Sequence, residues 1–248
     1  METVKQIPYG VADFESVINQ NMYYVDKTMY LAELEKQPRT LIFIRPRRFG
    51  KSLFISMMRA YYDKSKADRF DKLFGSLWVG SHPTPLRNHY QVLYLDFSRI
   101  GGNIDVLEKE FDSYCCIQLN DFIDTYRNDY PKEMVDEFLR AENATRKLNI
   151  LLNMSRKYDQ PLYLIIDEYD NFTNVVLSEH GEAIYHNMTH AAGFYREVFK
   201  KFKGMFERIF LTGVSPVTLD DLTSGFNIGW NISMAPELDK MLGFSTED

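Results

Sequence analysis

The sequence predicts an α/β domain whose mainly parallel sheet is covered by helices on both faces, and three observations predict it. Four short apolar runs, Thr40 to Ile44, Val92 to Leu95, Leu162 to Ile166 and Ile209 to Leu211, read as strands buried on both faces. Long segments with helical apolar spacing separate them, and a strand–helix–strand order implies right-handed crossovers and parallel pairing. No repeat, low-complexity run or Gly/Pro-rich linker divides the 248 residues, so residues 1–248 read as one unit, with 1–38 as a helical segment packing on the core. With 45% apolar and 15% aromatic residues the chain can bury a substantial core, which argues against intrinsic disorder.

In chain order, residues 13–20 and 26–36 each begin at an Asp suited to N-capping and carry apolar residues at helical spacing: Phe14, Val17 and Ile18, then Met29, Tyr30 and Leu34. The first strand follows at Thr40, and a helix through about Ser52 to Tyr62 puts Leu53, Phe54, Met57, Met58 and Tyr61 on one face. Residues 104–127 and 132–158 are helical by the same test, the second stretch as one helix or two. The N-terminal segment that includes Tyr9, Gly10 and Asp13 reads as core through its aromatic residues, with packing against the adenine base as the alternative.

Charge and processing signals exclude several classes. The balance of 29 Lys+Arg against 35 Asp+Glu, net −6, argues against a chain that coats nucleic acid over its whole surface, although a local basic groove survives any net charge. The longest apolar runs are far below the roughly 18 to 20 residues that cross a bilayer. Met1 to Gln6 carries no export signal, so cytoplasmic residence is the expectation. The adjacent Cys115 and Cys116 read as packing residues.

Directly after the first strand, Arg45-Pro46-Arg47-Arg48-Phe49-Gly50-Lys51-Ser52 matches the phosphate-binding pattern G-x-x-x-x-G-K-[ST] except that Arg45 replaces the first glycine. Its place between a buried strand and an amphipathic helix is what the chemistry requires, because backbone N–H groups and a helix N-terminus must converge on the phosphates. Gly50 allows close backbone approach, Lys51 reaches the β- and γ-phosphates of ATP, and the Ser52 hydroxyl ligates Mg2+, while Arg47, Arg48, Phe49 and Leu53 complete the binding segment. Arg45, Arg47, Arg48 and Lys51 form a cationic run that supplies charge to a triphosphate, captures a nucleic-acid backbone or is simply solvated.

The run Leu162 to Ile166 delivers Asp167 and Glu168 to the carboxyl end of a strand, where ligands of parallel sheets bind. Asp167 is expected near Mg2+ and Glu168 as the group that polarises the attacking water. Asp170 either assists or caps a helix. Thr212, with Ser215 second, is the candidate for contacting the γ-phosphate or the water from the end of the last apolar run, against a plain strand-to-turn transition. His186 and His190, four apart on a predicted helix, have a spacing that can chelate a metal but lack a third ligand and read as structural.

Together these segments resemble the AAA-ATPase-like domains of bacterial, Bacteroidetes-type P-loop proteins. The resemblance rests on Ile7-Pro8-Tyr9-Gly10 with Asp13-Phe14, Tyr24 to Thr28, Arg45 to Leu53, Tyr94 to Ser98, Ile166 to Asp170, and Leu211 to Pro216 running on to Ser224 to Ile228. It implies a P-loop NTPase three-layer sandwich of the AAA/ASCE kind, ATP with Mg2+, and in many members a C-terminal PD-(D/E)xK nuclease domain. No lysine here follows an Asp or Glu by two positions, so that nuclease core is absent, and Ser245 followed by acidic residues resembles a helix start, as if a lid and effector lay beyond. The resulting expectation is a Mg-dependent ATPase acting as a switch or motor for an attached or partner domain, a nuclease among the candidates, with nucleic acid and self-association as open partners and no membrane. A phosphotransferase and a weakly hydrolysing nucleotide-dependent interaction module are the alternatives.

Overall fold

The computed structural model describes residues 5–101, 104–189, 193–215 and 229–244; the expectations placed on Pro216, Ser224 to Ile228, His190 and Ser245 lie outside them. Five strands, β1 (Thr40–Ile44), β2 (Gln91–Asp96), β3 (Leu162–Asp167), β4 (Arg208–Gly213) and β5 (Trp230–Asn231), form one sheet in the order β2-β3-β4-β1-β5. Every pairing between them is parallel. The first four coincide with the apolar runs, whereas β5 is two exposed residues, too short to leave a periodic signal.

The helices are α1 (Phe14–Asn19), α2 (Met29–Lys36), α3 (Lys51–Tyr62), α4 (Phe70–Phe74), α5 (Trp78–Ser81), α6 (Leu107–Tyr126), α7 (Lys132–Arg140), α8 (Ala144–Lys157), α9 (Asn171–His180), α10 (Glu182–Thr189) and α11 (Phe194–Phe202). The stretch 132–158 resolves into α7 and α8, broken at Ala141, where the backbone turns extended and Asn143 caps the second helix. Helices α4, α5, α9 and α11 come in addition to those read from the sequence, while α10 carries His186 as its spacing from His190 suggested.

Strand periodicity divides the interior in two. Ile42, Leu93, Leu95, Leu162, Leu164, Ile166, Ile209 and Leu211 pack on one face with residues of α6 to α11. Leu41, Phe43, Val92, Tyr163, Ile165 and Phe210 pack on the other with residues of α1 to α4. The alternation sends residues of like parity to one face, so that Asp96, Asp167 and Thr212, continuing the series of Val92, Tyr163 and Phe210, fall on the α3 side. A helix-covered parallel sheet of this kind is the P-loop NTPase sandwich expected from the sequence.

Two expectations at the N-terminal segment are corrected. Tyr9 is 97% exposed and is not core, although Phe14 beyond it is fully buried and stacks on Phe74. Asp26 does not cap α2, whose N-cap is Thr28; its carboxylate instead accepts from the Thr28 N–H and hydroxyl and from the Trp78 N–H, tying the entry of α2 to the start of α5. Asp13 does cap α1, accepting from the Ser16 N–H, and Ser56 of α3 donates to the same carboxylate, which fastens α1 to the helix that follows β1. No helix among the described residues is long and apolar enough to cross a membrane.

Strand β2 is an edge, and α6 covers its outer N–H groups with tyrosine hydroxyls: Tyr126 Oη accepts from Val92 N (2.9 Å) and Tyr114 Oη from Asp96 N (2.7 Å). Tyr126 also donates to Asp63 at 2.8 Å. The change Tyr126→Phe strands the buried Val92 N–H, a loss of about 1–3 kcal/mol expected as a lower urea midpoint at unchanged slope. An unchanged midpoint would show that another acceptor replaces the hydroxyl.

Candidate functional site

Strand β1 ends at Ile44, and the next six residues turn the chain into α3. Two of them adopt left-handed backbone, Arg48 at φ 67° and Gly50 at φ 86°. Gly50 occupies the N-cap of α3 with open space around its Cα, so its conformation and not crowding calls for glycine. Among the described residues no acceptor meets the backbone N–H groups of Gly50 through Leu53. Unmet amides at a helix N-terminus, where the helix dipole is positive, make an anion site.

Lys51 lies under this loop, 5% exposed, with its ammonium donating to the carbonyls of Arg45 (2.9 Å) and Pro46 (3.0 Å). Burial lowers its pKa from the ordinary value, while the negative charges of Asp167, Glu168 and Asp170 oppose the shift. Phe49 is half exposed, and Leu53 is partly buried against the core on the α3 face.

The carboxyl ends of three strands converge on the same place. Asp167 Oδ2 accepts from the Ser52 hydroxyl at 2.6 Å and Oδ1 from the Thr212 hydroxyl at 2.6 Å, so one carboxylate links β3 to both α3 and β4. Asp167 and Thr212 are buried, whereas Ser52 is exposed. Glu168 follows in left-handed backbone, φ 50°, which takes its side chain out of the strand alternation; its N–H donates to Asp167 Oδ1 at 3.0 Å. Burial, then the neighbouring Asp167 charge, raises the Glu168 pKa, partly offset by Arg47 and Lys51.

Asp96 was not among the sequence candidates, yet it stands opposite Asp167 in the β2–β3 register and adds to the negative field at Glu168. Its carboxylate accepts from the Ser98 hydroxyl (2.6 Å) and from Arg99 (3.2 Å). The signal available was its position: like Asp167 it is an acid closing an apolar strand.

Asp170, 1% exposed, turns away from this constellation. It accepts from the Val214 and Ser215 N–H groups and from Asn174, so it holds the turn leaving β4; it makes no side-chain cap to α9. Ser215 is bound into the same turn, its carbonyl accepting from Tyr169. An open cleft of about 460 Å³ lies on the other side of the loop, lined by Arg45, Ser233, Met234, Ala235, Pro236 and Asp239, and none of Lys51, Ser52, Asp167 or Glu168 reaches it. His186 lies on α10, and no group of three or more His, Cys, Asp or Glu among the described residues is arranged to hold a metal.

Gly213 closes β4 against Tyr169 and Asp170: a Cβ there would stand 2.4 Å from the Tyr169 ring and 2.7 Å from the Asp170 carboxylate. The change Gly213→Ala is therefore expected to cost about 1–3 kcal/mol by overpacking, read as a lower melting temperature. A variant that melts with the parent would show that the Tyr169 ring yields freely.

Among known proteins, the chain is similar to a protein from Azotobacter chroococcum mcd 1 described as "Uncharacterized protein in vnfD 5'region", at 25% identity, with the match covering 98% of this chain and 44% of the relative. The chain thus spans less than half the length of that curated relative. No solved structure matches it. The model of the AAA-ATPase-like family, described as a predicted AAA-ATPase, matches residues 8–223, a span that runs from α1 through the loop after β1 and the acidic end of β3 to beyond β4. With that span and a helix-covered parallel sheet, the chain belongs to the AAA-ATPase-like family of P-loop proteins.

Proposed function

We propose that the chain binds Mg·ATP at the N-terminus of α3 and hydrolyses it, using the cycle to move an attached or partner domain. The observation that carries this reading is the Asp167 carboxylate held between the Ser52 and Thr212 hydroxyls with Glu168 next to it. Hydrolysis forms a bond from water oxygen to Pγ and breaks the bond from Pγ to the β–γ bridging oxygen, whose electron pair leaves with ADP. Glu168, half-buried beside an aspartate and so more basic than an ordinary glutamate, accepts the water's proton. The unmet amides at the start of α3 and the Lys51 ammonium hold the phosphates, and Thr212 orients the Asp167 carboxylate and faces the γ-phosphate end of the site.

A serine hydroxyl and a carboxylate 2.6 Å apart are hard oxygen donors that suit Mg2+, which keeps most of its waters and takes few protein ligands. When bound, the ion supplies positive charge to the β- and γ-phosphate oxygens. Ser52 and Asp167 would hold it, and the proximity of Glu168 to that pair favours water over another phosphoryl acceptor.

Phosphate release should require both Lys51 and Glu168. The change Glu168→Gln is expected to lower kcat at least about 100-fold with ATP still bound, and Lys51→Ala to weaken ATP binding itself; EDTA should stop turnover in the parent. Parent activity that survives Glu168→Gln within a few-fold would sink the reading, and phosphate appearing only with a non-water acceptor would replace it by phosphotransfer. The same assay with single- and double-stranded DNA reads coupling to nucleic acid.

The pH profile follows from the two shifted groups. Glu168 acts ionised, so kcat/KM should fall on the acid side at a pH above the ordinary glutamate range, because its folded pKa is raised. Lys51 acts charged, so the alkaline fall should begin below the ordinary lysine range. A profile flat down to the usual carboxylate range would contradict the role given to Glu168.

A further inference from the structure

The loop after β1 carries three arginines, and the fold sends them to three different places. Arg45 turns toward β5: it donates to the carbonyls of Ser233 (2.5 Å) and Ile44 (3.1 Å) and lies over the Phe43 ring at 4.6 Å. Arg45 is thereby committed to holding the segment after β5, which explains how the loop keeps its shape with arginine at the position where the pattern has glycine. Arg48 is exposed, in left-handed backbone, and no side-chain partner meets it among the described residues. Arg47 crosses in the opposite direction from Arg45, to the acidic side of the site, and donates through Nη2 to Asn171 Oδ1 at 3.0 Å.

Asn171 opens α9, three residues after Glu168, and its N–H donates to the Glu168 carbonyl at 3.0 Å. The guanidinium is thus anchored to the same turn that presents the water-polarising carboxylate. Its charge is felt there: Arg47 lowers the pKa of Glu168 against the effect of burial, and lowers that of Lys51 as well. A single hydrogen bond to an uncharged amide uses one of five N–H donors and leaves the remainder of the fork for oxygens of an incoming phosphate.

We propose that Arg47 is the cation that stabilises charge on the γ-phosphate during hydrolysis, supplied in cis by the phosphate loop itself, with Asn171 as its positioning residue. The proposal rests on the hydrolytic reading above. Arg47 forms no covalent bond and moves no proton in the step already written; it strengthens its contact as charge accumulates on the equatorial oxygens of the transferring group. Because the fork is exposed, little desolvation opposes its shift from Asn171 toward the phosphate. A charge supplied in cis makes turnover independent of a neighbouring subunit, so specific activity is constant with protein concentration.

The test compares the parent with Arg47→Ala, Arg47→Lys, Asn171→Ala and the Arg47→Ala/Asn171→Ala pair. Three quantities are read: Mg·ATP turnover, the Kd of ADP, and the Kd of ADP with aluminium fluoride as the transition-state mimic. Arg47→Ala should lower kcat about 1,000-fold or more, the low side of what such a cation supplies, and weaken the mimic by a similar factor while ADP binds within about threefold of the parent. Lysine should restore part of the rate, lacking the planar fork. Asn171→Ala should lower kcat by less, and add no further loss once Arg47 is gone, as expected of a residue that acts through its partner.

Turnover of Arg47→Ala within about threefold of the parent overturns this inference while leaving the hydrolytic reading standing. A loss of ADP affinity that matches the loss of kcat also overturns it, since Arg47 would then bind ground and transition states alike. Specific activity that rises with protein concentration equally in parent and Arg47→Ala assigns the cation to another subunit and overturns it too. A parent that binds ADP but never releases phosphate fails at the earlier step and removes the hydrolytic reading together with this one.

Discussion

The Asp167 carboxylate is the joint on which the site depends. Its two oxygens accept from Ser52 at the head of α3 and from Thr212 on β4, and its own chain continues into Glu168, so three segments distant in sequence share one anion. A buried carboxylate is costly unless its lone pairs are met, and here two hydroxyls and a backbone N–H meet them. The Ser52 hydroxyl is also the exposed member of the group, the one that solvent reaches without opening the core.

Around that joint the charges are arranged in opposition. Lys51 is tucked beneath the loop and loses basicity through burial, and Glu168 gains basicity through burial and a neighbouring acid, while Arg47 acts on both from the rim. Lys51 and Glu168 would each be expensive away from water alone; together they hold opposite charges close without a direct ion pair between Lys51 and Asp167 in the hydrogen-bond pattern, where the ammonium donates to carbonyls instead. Lys51 therefore already sits inside the loop, its ammonium satisfied by backbone, before any phosphate is considered.

The support behind the site is as specific as the site. Asp170 and Tyr169 bind the turn after β4 through backbone N–H and carbonyl groups, Tyr195 donates to the Tyr169 carbonyl, and Gly213 leaves room for both side chains. On the far side, Ser233 accepts from the Ile44 N–H while Arg45 reaches its carbonyl, which pins the start of the phosphate loop to the segment following β5. These contacts leave Glu168 and Arg48 in left-handed backbone, where residues other than glycine are uncommon, and the surrounding hydrogen bonds hold them there.

Much of this was legible along the chain. Four apolar runs marked four strands, the Gly-Lys-Ser step marked the loop and the head of α3, and acids at the end of an apolar run marked the ligand side, because each signal is local and repeats with the geometry of its own element. Helix α9 and the two-residue β5 left no comparably clear pattern, whereas Tyr195, Val198, Phe199 and Phe202 mark α11 at helical spacing; Tyr9 was placed in a core it does not enter. Which strand stands between β1 and β3, which of three arginines reaches the acidic side, and that Asp170 serves the β4 turn were matters of long-range pairing. Those outcomes hang on crossovers and side-chain directions between residues dozens to more than a hundred positions apart, and no local periodicity encodes them.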